Sequence, residues 1–138
     1  MVFKVNIADK KGLTYHLDSN SESIIGLKLG EIIKGEDVDS KLEGYEFEIK
    51  GMSDKAGFPS IEKVEGILLK RALLTYGKGM KDKRKGLRKR KTVRGNTISV
   101  DSVQINLTVK KHGKASLHEL FPEQGKKKEK PAEEKAAE

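Results

Sequence analysis

Four segments of this 138-residue chain alternate apolar and polar side chains with a period of two, and that pattern constrains the fold more than any other feature. Phe3, Val5 and Ile7 alternate with Lys4 and Asn6, and Leu13, Tyr15 and Leu17 with Thr14 and His16. Tyr45, Phe47 and Ile49 alternate with Glu46, Glu48 and Lys50, and Val103, Ile105, Leu107 and Val109 with Gln104, Asn106 and Thr108. Successive side chains of a strand point to opposite faces, so each segment reads as a strand that buries one face and wets the other. Ile98 and Val100 read as a fifth, shorter strand. Single-faced strands suit an antiparallel sheet that curls or closes around a small core. The predicted fold class is mainly β: a small antiparallel β-barrel-like domain.

The connections refine this picture. Ala8-Asp9-Lys10-Lys11-Gly12 is short and turn-like, which predicts a hairpin of the first two strands. Residues 24–33 are apolar, but Gly26 and Gly30 make a continuous helix costly by about 1 kcal/mol each, so the segment reads as a strand or a bend. Residues 64–76 fit two patterns: Leu69, Ala72 and Leu73 have helical spacing, while Ile67-Leu68-Leu69 suits a buried strand. Ser116 three residues before Glu119, then Leu120, Phe121 and Pro122, predicts one short C-terminal helical turn. From about Gln124 no aromatic or branched apolar residue remains, and a segment that buries nothing cannot offset its ordering entropy. The predicted organisation is one domain over 1–123 and a disordered charged tail over 124–138.

Charge is distributed very unevenly. Residues 78–94 hold ten Lys or Arg against one acid, Asp82, while the remaining 121 residues carry 19 basic and 20 acidic side chains. A patch of +9 on a nearly neutral body repels itself and is relieved by a polyanion, phosphate backbone first among them. Gly77, Gly79 and Gly86 interrupt the run and cations fall on every side of a helical wheel, so an extended loop flanked by strands is expected. Arg84, Arg88, Arg90 and Arg94 can grip phosphate through two parallel hydrogen bonds or stack on an unpaired base. Lys78, Lys81, Lys83, Lys85, Lys89 and Lys91 act as mobile point charges. Aromatics near the run are few, Tyr76 and Phe58, which argues for backbone and shape recognition of folded RNA over a stacking platform. A solvated solubilising loop is the bland alternative, and a localisation signal in Arg88-Lys89-Arg90-Lys91 a third reading.

Asp54-Lys55-Ala56-Gly57-Phe58-Pro59 reads as a shaped loop that presents Lys55, a further candidate RNA contact, and Phe58. Its bland reading is a structural turn with Phe58 in the core. Enzymatic chemistry finds little support. His16, His112 and His118 are scattered, there is no cysteine for a thiolate site, and Gly77-Lys78-Gly79 lacks the residues of a nucleotide-binding loop. Glu36, Asp37, Asp39 and Glu43 read as a solvated acidic patch, with Lys41 where a calcium loop would need another oxygen. Neither a catalytic residue, a metal site nor a cofactor is expected. No stretch approaches the roughly 20 apolar residues of a membrane span, and the first residues lack a secretory core, so a cytoplasmic chain is expected.

Two stretches carry a family resemblance. Arg88-Lys89-Arg90-Lys91-Thr92-Val93-Arg94-Gly95-Asn96-Thr97-Ile98, followed by Asp101 and Val103-Gln104-Ile105-Asn106-Leu107, resembles the most characteristic segment of the e-type small-subunit ribosomal protein S-six family of archaea and eukaryotes. Gly51-Met52-Ser53-Asp54-Lys55-Ala56-Gly57-Phe58-Pro59-Ser60 resembles that family's signature loop, departing from it at Met52, usually glycine, and Ser60, usually methionine. The short Lys/Glu/Ala ending is similar to the archaeal form. The resemblance implies a β-barrel-like structural component of the small ribosomal subunit that binds small-subunit ribosomal RNA beside neighbouring ribosomal proteins. It implies no catalysis, membrane or small-molecule substrate, and a monomer is expected outside the ribosome. The rival is a free-standing basic module that binds other structured RNA or an acidic partner.

Overall fold

The computed structural model describes residues 2–124. In chain order it contains strands β1 (Phe3–Ala8) and β2 (Thr14–Ser19), a 3-10 turn (Glu22–Ile24), β3 (Ile32–Lys34), the single-turn helix α1 (Gly35–Val38) and a second 3-10 turn (Ser40–Leu42). There follow β4 (Glu46–Asp54), β5 (Leu69–Leu74), β6 (Lys89–Arg94), β7 (Ser102–Lys111) and the helical turn α2 (Leu117–Leu120). Five strands form one sheet in the order β2-β1-β7-β4-β3, and β5 and β6 form a separate two-stranded ribbon.

The four alternating segments become β1, β2, β4 and β7, and their register aligns the apolar side chains into rows. Tyr15 faces Ile7, Ile7 faces Leu107 and Leu107 faces Ile49; Leu17, Val5, Ile105 and Met52 make the next row. Cross-strand neighbours on one face are the packing unit of a sheet, so these rows are the core. Ile7, Ile49 and Ile105 are fully buried, Tyr15 and Leu107 nearly so. β4 changes parity within this frame. The pairing shifts between Ile49 and Gly51, so Lys50 is an extra residue, and the bulge turns Met52 and then Asp54 inward where simple alternation would turn them out.

The expected barrel does not close. Two open sheets are present, and β1 pairs with β7 in parallel, so the main sheet is mixed and not purely antiparallel. The reason lies in the segments meant to complete the circuit. Gly26 and Gly30 adopt φ of 91° and 89°, which bends residues 24–33 away from a continuous edge and leaves only β3 as strand. The predicted fifth strand is likewise absent: Ile98 enters the core, but Val100 is half-exposed in a turn where the amide of Ser102 donates to the Ser99 carbonyl at 3.1 Å. The two irregular segments still bridge each other, with Gly26 N–H donating to Ile98 O (2.9 Å) and Ile98 N–H to Leu27 O (2.8 Å). Ile24, Leu29, Val38, Leu42, Ile98 and Leu117 thereby cover the sheet where a barrel would have placed more strands.

The predicted first hairpin is present, and so is the C-terminal turn, where Ser116 Oγ accepts from Glu119 N–H at 3.3 Å. The tail expected over 124–138 lies outside the described residues except for Gln124. The carboxamide of Gln124 bonds both the N–H and the C=O of His16 on the open edge of β2.

Candidate nucleic-acid interface

The basic run is not one extended loop. Its second part, Lys89–Arg94, is β6, paired antiparallel with β5 from Leu74↔Lys89 at the tip to Leu69↔Arg94 at the root. Thr92 and Val93 favour extended backbone, and fully buried Val93 pins the strand to the body. Leu69–Leu74 answers the ambiguity of residues 64–76 with a strand, though not a buried one: Ile67, Leu68, Leu69 and Leu73 are all exposed. The loop proper is confined to residues 75–88. Gly77 and Met80 exchange backbone hydrogen bonds of 3.1 Å in each direction, seating Met80 in the interior. A second turn is closed by Leu87 N–H donating to Arg84 O at 3.2 Å.

Pairing distributes the cations over both faces of the ribbon. Lys89 and Lys91 share a face with Lys70, while Arg90 shares the opposite face with Arg71. Lys70 and Arg71 extend the basic surface beyond the run read from sequence. Their signal was a basic dipeptide inside an apolar stretch, and only the register of β5 against β6 brings it beside the run.

The candidate contacts fall into four groups. Lys81, Lys83, Lys85, Arg88, Arg90 and Lys91 are exposed and make no ion pair among the described residues. Arg84 and Lys89 share Asp82, at 3.6 Å and 3.5 Å, so one carboxylate is the only internal counter-charge on the loop among the described residues. Lys78 lies back against the main sheet, its ammonium donating to Lys50 O at 3.0 Å. The remaining two candidates stand at the ribbon's root. Lys55 is exposed in the turn after β4, a strand's length from Lys89.

Arg94 is turned inward. Its Nε donates to Asp54 Oδ2 at 2.9 Å and its Nη1 to Ile67 O at 2.9 Å, with the two charged side chains only 10% and 2% exposed. Burial alone would raise the Asp54 carboxyl, but the hydrogen bond and charge of Arg94, with the amides of Phe58 and Ala56, hold it below the usual carboxylate range. Asp54 Oδ1 also accepts from Phe58 N–H at 2.8 Å, closing the loop that Gly57 permits at φ 86°, with Phe58 half-buried. The two stretches that carried the family resemblance therefore meet in one buried ion pair. Gly95 fits the same root tightly, since a Cβ there would lie 1.9 Å from the carbonyl oxygen of Gly66.

Fold and site together define a class: a small mixed-sheet body from which a polycationic two-stranded ribbon is held by a buried Arg–Asp lock. The family model described as Ribosomal protein S6e matches residues 3–122. The chain is 44% identical to the "Small ribosomal subunit protein eS6" of Methanosphaera stadtmanae, over 89% of this chain and 95% of that protein. It is 44% identical to that of Archaeoglobus fulgidus, covering 88% and 96% of the two chains, and 46% identical to that of Methanothermobacter thermautotrophicus, covering 88% and 96%. The chain belongs to the Ribosomal protein S6e family, in its archaeal form. That family is made of structural proteins of the small ribosomal subunit, not enzymes, and its place is the cytoplasmic ribosome.

Proposed function

We propose that this chain binds small-subunit ribosomal RNA through the β5–β6 ribbon and its loop, beside neighbouring ribosomal proteins, and so supports the folded state of the subunit. The observation that carries the reading is the set of six exposed cations without internal ion pairs, raised on a ribbon whose root is locked. Cations already balanced by local carboxylates would gain little from phosphate. Apart from Lys83, which lies over the Tyr76 ring, these six have only solvent and counterions to lose, and release of counterions condensed on the RNA drives such binding. The lysines neutralise phosphates where RNA segments approach one another, and Arg84, Arg88 and Arg90 can add bidentate or stacking contacts. Arg94 is left out of the contact set, because its guanidinium is spent on the fold. Lys55 remains a candidate contact at the root. The whole of residues 1–123 acts as one domain in this reading.

Titrating the protein with a structured fragment of small-subunit ribosomal RNA at several salt concentrations tests the proposal. With roughly six phosphates engaged, log K should fall against log salt with a slope of about −4 to −5. A slope near zero would remove the electrostatic mechanism. Equal affinity for an acidic polypeptide would favour the free-standing module.

A further inference from the structure

Tyr76 is out of place for a surface that only seeks phosphate. It follows the end of β5 with its side chain 58% exposed, and Leu73 beside it is exposed as well. A phosphate can take a hydrogen bond from the Tyr76 hydroxyl but offers nothing to the face of its ring, whereas every nucleobase has a face that can stack there. The ring borders two hollows. One, of about 410 Å³, has an apolar wall of Ile61, Leu73 and Leu74, with Lys63 and Lys78 as its cations and Glu62 as its single acid. The other, of about 360 Å³, is lined by Thr75, Tyr76, Gly86 and Leu87 together with the cations Lys83, Arg84, Lys85 and Arg88. Lys83 Nζ lies 5.5 Å from the Tyr76 ring centroid, so a cation stands at the boundary of the two.

We infer that Tyr76 and the apolar hollow of Ile61, Leu73 and Leu74 seat one unpaired nucleobase of the bound RNA, while Lys83, Lys85 and Arg88 hold the phosphates flanking it. The inference rests on the RNA-binding reading above and adds the class of RNA feature selected. Bases inside an A-form helix have both faces covered by their neighbours, so only a bulged or looped base offers a face to such a seat. Charge complementarity favours a nucleotide over an apolar peptide segment, since every charged side chain lining the second hollow is a cation. A single seat is also consistent with the scarcity of aromatics near the basic run: no platform for successive bases is present among the described residues, only one ring.

The chain carries its own reporter. It has no tryptophan and three tyrosines, and Tyr15 and Tyr45 are buried, so a base that stacks on an exposed phenol reports through Tyr76. The experiment titrates the full chain with two RNA duplexes of equal length, one fully paired and one carrying a single bulged adenosine. Affinity, tyrosine emission and salt slope are recorded for the parent protein, Tyr76→Ala and Tyr76→Phe. The bulged RNA should bind about tenfold more tightly and quench emission more strongly than the paired one. Tyr76→Ala should lose that preference and the extra quenching with its salt slope unchanged, whereas Tyr76→Phe should keep the preference. Equal binding of both RNAs with the slope intact would overturn the seat and leave the RNA reading standing. Failure to bind either, or a slope near zero, would overturn both. Circular dichroism of Tyr76→Ala, whose side chain is exposed, separates loss of the seat from loss of the fold.

Discussion

Arg94 and Arg90 stand four residues apart on one strand and do different work. Removing the guanidinium of Arg94 strands the Asp54 carboxylate in the interior, and breaking a buried pair in this way costs about 3–5 kcal/mol. Arg94→Ala should therefore lower the denaturant midpoint sharply, while Arg90→Ala should leave it unchanged and weaken RNA binding instead. A comparable loss of stability in both variants would contradict the division of labour. The lock also has a pH signature. The folded pKa of Asp54 lies below its ordinary 3.8, so its contribution to stability is complete above that value and is lost as pH falls through the depressed folded value. Asp54→Asn should flatten that part of an acid-unfolding profile. Ser60, in the loop that bears the family resemblance, is fully buried and its hydroxyl has no partner among the described residues. An unsatisfied buried hydroxyl is costly, so Ser60→Ala should raise the melting temperature by about a few degrees, and a marked fall in calorimetry would show that the hydroxyl is satisfied.

Among the elements, the ribbon and the main sheet were legible in the sequence to different degrees. Period-two alternation located β1, β2, β4 and β7 because each has a single wet face. It failed for β5, whose burial does not follow its apolar pattern: Leu69 and Leu73 face outward on a ribbon that lacks a second layer. It failed for β6 because lysine and arginine carry no periodic signal, so strand residues read as loop. The bulge at Lys50 and the Asp54–Arg94 lock were equally hidden, since both depend on which strand lies opposite and the lock spans 40 residues of chain. The cations themselves were legible from composition alone, apart from Lys70 and Arg71. A prediction belongs here: replacing one exposed lysine of the loop, such as Lys85, by alanine should make the log K against log salt slope shallower by about one without altering which RNA is preferred. Arg88→Lys keeps the charge and should cost more affinity than its unchanged slope suggests, if the contact is bidentate or stacked.

For the whole molecule the consequence is a nearly neutral body with an extension that carries cations on both faces. Sedimentation of a cell extract at low and moderate salt should recover the protein with small subunits, and neutralising the exposed cations of 81–91 should release it. Recovery only at the top of the gradient at low salt would point to the free-standing module. The barrel expectation missed at this scale for a reason that alternation cannot express. The sequence pattern says which residues turn inward, but not whether strands or irregular segments cover them, and here Gly26 and Gly30 decide for the latter.

The position of β7 has a bearing on how the chain comes into being. It is the last of the described strands to be synthesised, yet it lies between β1 and β4 and is hydrogen-bonded to both. Until it emerges from the translating ribosome, the hairpin of β1 and β2 and the pair β3–β4 lack the strand that joins them, and each alone is too small to be stable in water. Their meeting is a late event between residues about a hundred positions apart, with Lys4 reaching its partner Gln104. Folds dominated by such distant pairings form slowly. During that interval the nascent chain already displays its densest positive charge, residues 78–94, before the sheet behind it has closed. On the proposed RNA-binding reading, a new subunit component would thus meet RNA as a charged thread first and as a folded body second.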